Sequence, residues 1–143
     1  MIIKSLRHKQ ANSSYSINYL WNGISEQREN KWLIFHNLTS GSDKKSIIKE
    51  FNANAQLMKK HAHRSRTYRY HEVLAFSHEN SKRLTREKLQ RIASAYLKLR
   101  DPEQQSKAIC VPHIEKGEHY HLHLLLTSNF LSSNRSGDMM MSN

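Results

Sequence analysis

The run from residue 119 to residue 127, HYHLHLLLT, constrains the fold more than any other part of this sequence. Because successive side chains of a β-strand point to opposite faces, its period of two predicts a strand. One face of that strand is apolar and carries Tyr120, Leu122, Leu124 and Leu126. The other face carries His119, His121 and His123. An apolar sheet face has to be covered, so we expect a sheet with helices packed against it.

Strands and helices alternate along the rest of the chain. Helical periodicity and capping residues predict helices at 14–20, 46–60 and 85–99. Short apolar runs predict strands at 2–6, 32–35, 70–77 and 108–112, with a loop at 78–83. We therefore predict an α+β domain whose mainly antiparallel sheet has four to five strands. The 119–127 strand is central in this sheet, and the helices at 46–60 and 85–99 pack on one face, opposite the histidines.

The charge of the chain favours a polyanionic partner. There are 23 lysines and arginines against 12 aspartates and glutamates, which gives a net charge of +11. Such an excess most commonly indicates nucleic acid. No apolar run approaches the ~20 residues of a membrane span, and no secretory signal is visible. The one cysteine, Cys110, cannot form an internal disulfide and is expected to be buried and inert. These features favour a cytoplasmic protein without a membrane partner.

The histidine face of the 119–127 strand is a candidate metal platform. Three imidazoles at two-residue spacing make a poor core and an unusual surface strand. Neutral imidazole is a lone-pair donor, and a sheet holds it rigidly. The pattern therefore favours metal binding over an exposed strand that merely happens to be rich in histidine. Imidazole chemistry alone leans to Zn²⁺, Mn²⁺ or Ni²⁺.

The longer pattern around this strand resembles a known motif. His113-Ile114-Glu115, followed by His119-Tyr120-His121-Leu122-His123, is similar to the third motif of plasmid mobilisation relaxases, in the HUH endonuclease superfamily. The resemblance implies an HUH, ferredoxin-like fold and a divalent metal, Mg²⁺ or Mn²⁺, on His113, His121 and His123. Glu115 stands where the family usually has aspartate. Glu115 and His119 are candidates to orient or replace a ligand. Asn129 falls slightly later than the family's asparagine.

Two upstream segments extend the resemblance. Ile17-Asn18-Tyr19-Leu20 is similar to the first motif, which implies that Tyr19 is the nucleophile. Tyr15 is the alternative, because residues four apart share a helix face. Residues 70–77 resemble the second motif, whose serine positions DNA. Ala75 occupies that position here, and Ser77, expected on the same strand face, is its candidate replacement. Further DNA-binding candidates are the basic residues Lys59, Lys60, Arg64 and Arg66.

The resemblance covers residues 1–129 and implies a relaxase catalytic core, either complete or truncated, followed by a polar tail at 130–143. Such an enzyme nicks one DNA strand at a transfer origin, through a covalent 5′-phosphotyrosine bond, and so initiates the transfer of a plasmid or mobile element. Its partner is single-stranded or locally melted origin DNA, with accessory mobilisation proteins as further candidates. We also predict a register that pairs His113 with His121 and Val111 with His123, so that the three ligands converge.

Three other functions are compatible with parts of the sequence. His119 to Leu125 also matches the signature of histidine-triad nucleotide hydrolases, in which His121 would be the nucleophile. Against this stand the net charge and the upstream His113. An HUH replication initiator or transposase would place its tyrosine after the histidines, and no tyrosine follows Tyr120. A DNA-binding module with a degenerate site is the third alternative, which Ala75 keeps open.

Overall fold

The computed structural model describes residues 1–22, 33–58, 67–114 and 119–131. Within these ranges the strands are β1 (Ile2–His8), β2 (Ile34–His36), β3 (Arg69–Ala75), β4 (Ala108–Ile114) and β5 (Tyr120–Thr127). The helices are α1 (Ser14–Asn22), α2 (Lys44–Gln56), α3 (His78–Ser81) and α4 (Arg86–Arg100). None of these helices is long and apolar enough to cross a bilayer. The predicted tail lies almost entirely outside the described residues.

The strands form one antiparallel sheet in the order β1-β3-β5-β4-β2. The α+β class, the five-stranded antiparallel sheet and the central position of β5 are confirmed. β5 is hydrogen-bonded to β3 along one edge and to β4 along the other. On each face of the sheet, its side chains therefore have neighbours from both strands. A central strand that bears histidines can therefore collect further side chains from both neighbours.

The predicted apolar face of β5 is buried beneath α4. Leu122, Leu124 and Leu126 pack there with Leu89, Ala93 and Leu97 of the helix. Thr85 caps α4, and its hydroxyl accepts a hydrogen bond from the Lys88 amide. Tyr96 packs against the same core, and Cys110 within it is fully buried, as expected.

The prediction that both long helices cover the face opposite the histidines is wrong for α2. α1 and α2 pack on the histidine side of the sheet, where Ile47 and Phe51 contact the apolar half of that face. The physical reason is that the histidines occupy only one end of it. Ile109, Val111 and Leu125 continue the same face and are apolar, so they require a cover of their own. One helix layer thus covers each face.

Most boundaries differ from the predicted ones by one or two residues, and two differences are larger or change the type of element. α2 begins after its cap Asp43 and ends at Gln56, four residues before the predicted end. β3 ends at Ala75, and the segment predicted as a loop contains the short helix α3. Ser77 caps α3, with its hydroxyl accepting from the Asn80 amide. A hydroxyl that caps a helix competes with continued strand pairing, and here the cap prevails.

Candidate active site

The pairing of β4 with β5 brings the predicted histidines together. His113 lies opposite His121 and Val111 opposite His123, which is the register that the sequence predicted. The ring centroids of His113 and His123 are 3.9 Å apart, and those of His121 and His123 are 6.2 Å apart. The two strands thus present three imidazoles on one sheet face, next to the apolar residues that α1 and α2 cover.

A fourth histidine, which the sequence reasoning missed, joins this cluster from β3. His71 Nε2 lies 2.8 Å from His123 Nδ1, and their ring centroids are 5.1 Å apart. His8 of β1 stacks against His71 with a centroid separation of 6.1 Å. Only the pairing of Val73 with His123 fixes which face of β3 carries His71. A histidine inside a predicted strand was the available signal, but its face could not be assigned before the register was known.

Helix α1 places Tyr19 beside these histidines. Its ring centroid lies 6.1 Å from that of His71 and 6.5 Å from that of His123, edge-on in both cases. The side chain is 55% exposed, so a substrate can reach its hydroxyl. Tyr15, one helical turn earlier, is 78% exposed, and the ring contacts found among the described residues join Tyr19 rather than Tyr15 to the cluster.

Polar contacts fasten the beginning of α1 to α2 and to the sheet. The amide and hydroxyl of Ser13 donate to Asn52 Oδ1 at 2.8 and 2.7 Å. Arg69 of β3 is 2% exposed, and its guanidinium donates to the carbonyl oxygens of Ala11 and Asn12, each at 3.3 Å. Charge-assisted contacts of this kind are among the stronger hydrogen bonds in proteins. The tyrosine-bearing helix is therefore anchored at its start rather than loosely attached.

Burial keeps the clustered imidazoles neutral. Desolvation, followed by the positive potential of neighbouring histidines, lowers the pKa of His71 to about 4 and that of His123 to about 3. Desolvation also lowers the pKa of His113 and His8. A neutral imidazole retains one lone pair, and a lone pair is what metal coordination requires. The site is therefore electronically suited to a cation at neutral pH.

The donor chemistry fits a divalent metal ion, but the predicted convergence of the three histidines on one point is not found among the described residues. Within the parts of the chain that the structure describes, no three histidine, cysteine, aspartate or glutamate side chains are arranged to hold a metal ion. His113 instead donates from Nε2 to the Leu20 carbonyl at 3.2 Å. Three imidazoles from two adjacent strands nevertheless form an appropriate donor set for Mn²⁺ or Zn²⁺.

Two predicted site residues lie elsewhere. His119 precedes β5, so strand alternation does not place it with His121. Its Nδ1 donates to the Phe76 carbonyl at 3.2 Å, at the junction between β3 and α3. Ser77 does not share the strand face of Ala75, because the strand has ended and its hydroxyl caps α3. Ala75 itself pairs with His121, so its side chain borders the cluster.

The remaining predicted residues divide into two sets. Asn129 is buried, and its side-chain amide donates to the Asn54 carbonyl at 2.9 Å, which ties the end of β5 to α2. The others lie outside the described residues; they are Lys59, Lys60, Arg64, Arg66 and Glu115.

Comparison with known proteins gives one family. The family model described as "Relaxase: MobA/VirD2-like, nuclease domain" matches residues 19–135. The match begins at the tyrosine of α1 and includes the whole histidine cluster except His8. No curated protein matches the chain.

Proposed function

The chain belongs to the MobA/VirD2-like relaxase nuclease family, and from that premise we propose that it nicks one strand of DNA with Tyr19 as the nucleophile. The observation that carries this proposal is the position of the Tyr19 ring, edge-on to both His71 and His123. A phenol at the border of a neutral imidazole cluster stands where a phosphate diester can contact both. The proposed site of action is a transfer origin, from which a plasmid or mobile element is mobilised.

The proposed reaction is a transesterification at phosphorus. Tyr19 Oη attacks the scissile phosphate, and the bond from phosphorus to the 3′ oxygen breaks. The enzyme keeps the 5′ phosphate as a phosphotyrosine ester, and the tyrosine proton passes to the released 3′ oxygen, which becomes a hydroxyl. One ester bond replaces another, so the reverse attack by a 3′ hydroxyl reseals the strand without a nucleotide cofactor.

His113, His121 and His123 are the residues that would hold a divalent cation, Mg²⁺ or Mn²⁺. When bound, the cation would polarise the phosphate and stabilise charge in the transition state. A neutral His113 that donates from Nε2 to the Leu20 carbonyl keeps the lone pair of its Nδ1 for such a cation. Because Leu20 follows Tyr19 directly, this contact links the ligand strand to the helix that carries the nucleophile. Glu115 remains a candidate to orient one of the ligands.

DNA is the expected partner, in single-stranded or locally melted form. The excess of 11 positive charges supplies long-range attraction to phosphates. The basic stretch that contains Lys59, Lys60, Arg64 and Arg66 begins three residues after α2, which packs on the histidine side of the sheet. We propose these residues as contacts to the DNA backbone. We also propose accessory mobilisation proteins as partners and the cytoplasm as the location of the protein.

The test is covalent attachment to labelled DNA. A tiled set of single-stranded oligonucleotides from the DNA that flanks the coding sequence is incubated with the protein and Mn²⁺, and adducts are resolved on denaturing gels. Tyr19→Phe should retain DNA binding and lose the adduct, since only the hydroxyl is removed. Tyr15→Phe is the matched control and should retain the adduct.

Other outcomes would overturn specific parts of the proposal. Loss of the adduct in Tyr15→Phe and its survival in Tyr19→Phe would move the nucleophile by one helical turn. Survival in both variants would exclude these tyrosines as the attacking groups. DNA binding without cleavage by the unmodified protein, with Mn²⁺ present, would indicate a binding module rather than an enzyme.

A further inference from the structure

The contact between His71 and His123 determines which nitrogen of His123 is available to a ligand. His71 Nε2 and His123 Nδ1 are 2.8 Å apart, and both side chains are buried, with exposures of 8% and 6%. Two neutral imidazoles at this distance must place one proton between them, donated by one ring and accepted by the other. The contact therefore allows two proton arrangements: either His123 Nδ1 donates to His71 Nε2, or His71 Nε2 donates to His123 Nδ1.

The two arrangements have opposite consequences. If His123 donates from Nδ1, its Nε2 has no proton and offers a lone pair. If His71 donates from Nε2, His123 keeps its own proton on Nε2 and cannot bind a cation through that atom. A metal-ligating histidine commonly donates its second ring N–H to an acceptor that fixes its tautomer and orientation. In the described structure the group within hydrogen-bonding distance of His123 Nδ1 is His71.

We propose that His71 is a positioning residue, which accepts the Nδ1 proton of His123 and so directs the Nε2 lone pair of His123 into the site. This inference rests on the proposed function, in which His123 is a metal ligand. The side chain that orients a ligand is usually a carboxylate, a carbonyl or water. Here the imidazole of His71 accepts this hydrogen bond, and unlike a carboxylate it adds no negative charge to the cluster.

The surroundings of His71 hold its ring in place for this role. His8 stacks on it at 6.1 Å from the edge of the sheet. The Tyr19 ring meets it edge-on, also at 6.1 Å. The His71 side chain thus contacts both the proposed nucleophile and a proposed ligand. In the sheet His71 pairs with Leu125, two residues from His123 along β5, so the two histidines are diagonal neighbours on the same face.

The experiment reads the tautomer directly, in metal-free protein at pH 7. Long-range ¹⁵N–¹H correlation spectra of imidazole-labelled protein show which ring nitrogen carries the proton, and a His123→Gln sample assigns the signal. We expect His123 to be protonated on Nδ1. His71→Gln provides an amide oxygen close to the Nε2 position and should preserve this tautomer. His71→Leu provides no acceptor, so the signal should move toward the Nε2-protonated form.

Mn²⁺ affinity, measured by calorimetry, is the second readout. His71→Leu should weaken binding by about 10- to 100-fold, the usual effect of removing a partner that orients a ligand, and His71→Gln should restore most of the loss. His78→Leu is the matched control, because it removes an imidazole on α3 outside the cluster; it should leave both readouts unchanged. Far-ultraviolet circular dichroism checks that each variant is folded.

The outcomes separate this inference from the proposed function. Protonation of His123 on Nε2 in the unmodified protein overturns the inference, and this requires no variant to fold. An unchanged tautomer and Mn²⁺ affinity in folded His71→Leu overturns it as well. If His123 carries its proton on Nδ1 but the unmodified protein neither binds Mn²⁺ nor forms an adduct, the hydrogen-bond assignment is supported and the proposed function fails.

Discussion

Acid should destabilise this protein through its buried histidines well before its carboxylates titrate. His71 and His123 have pKa values of about 4 and about 3 in the folded protein, because burial disfavours their charged forms. In the unfolded chain both return to about 6.5. Between these values the unfolded chain binds more protons than the folded protein. The free energy of unfolding therefore falls as the pH decreases through this window and is unaffected above it.

The magnitude follows from the width of the window. Each pH unit below 6.5 costs about 1.4 kcal/mol for each ring that must stay neutral. Lowering the pH from 7 to 5 therefore costs about 2 kcal/mol for His71 and about 2 kcal/mol for His123. Ordinary carboxyl pKa values lie below pH 5, so Asp and Glu contribute little in this range. The total approaches half of the stability of a typical small domain.

Urea unfolding of metal-free protein at pH 7, 6 and 5 measures this effect. Replacing His71 by Gln removes the contribution of that ring, so the loss of stability between pH 7 and 5 should be smaller by about 2 kcal/mol. His78→Gln, a change outside the cluster, should follow the unmodified protein. Equal pH dependence in the unmodified protein and His71→Gln would refute the argument that burial keeps His71 neutral.

Two further substitutions test buried polar contacts at the end of α4, and a third tests the residue that pairs with His121. Asp101→Ala should lower the free energy of unfolding by about 2–4 kcal/mol, because the buried carboxylate accepts from two backbone amides and from His36. Arg100→Met should cost about 3 kcal/mol in the same urea assay, since it leaves the buried Glu72 carboxylate without its guanidinium partner. Ala75→Ser places a hydroxyl next to His121 and should raise affinity for single-stranded DNA by about two- to ten-fold, measured by fluorescence anisotropy.

Each of these has a matched control. Glu103→Ala and Lys98→Met alter exposed charges near the first two positions and should change stability by less than about 0.5 kcal/mol. Ala75→Gly should not raise DNA affinity. If Arg100→Met lowers the free energy of unfolding no more than Lys98→Met does, the buried pair of Arg100 and Glu72 does not stabilise the fold. An unchanged affinity in Ala75→Ser would mean that this position does not contact the substrate.

The sequence was sufficient to predict the sheet and the pairing of β4 with β5. A period of two in residues 119–127 identifies both faces of β5. Because a shift by one residue would expose Leu122 and Leu124, the apolar pattern also selects the register. That register places His113 opposite His121. The family motifs added Tyr19, and the structure sets its ring beside the cluster.

Other features depend on contacts that alternation in one strand does not encode. The side on which α2 packs could not be predicted from β5 alone. Leu125 follows the histidines on the same face of β5 but is apolar, and Ile109 of the neighbouring strand enlarges this apolar area. His71 was missed because its face depends on how β3 pairs. Ser77 was predicted to lie on a strand because residues 70–76 contain no glycine or proline that would indicate the end of β3 at Ala75. A serine that caps a helix is visible only when the helix that follows is recognised.

Packing of α1 also explains why one tyrosine, rather than its neighbour a turn away, meets the histidines. Ile17 and Leu20 flank Tyr19 in sequence and are fully buried against the sheet. Because Tyr15 and Tyr19 share a helix face, bringing Tyr15 to this place would require sliding the helix by one turn, which would move Ile17 and Leu20 out of their buried positions at a cost of about 1.5–3 kcal/mol for each side chain. The contacts of Ser13 and Arg69 at the start of the helix oppose the same movement. The hydrophobic core therefore fixes the position of the proposed nucleophile, and the order of residues along α1 selects Tyr19.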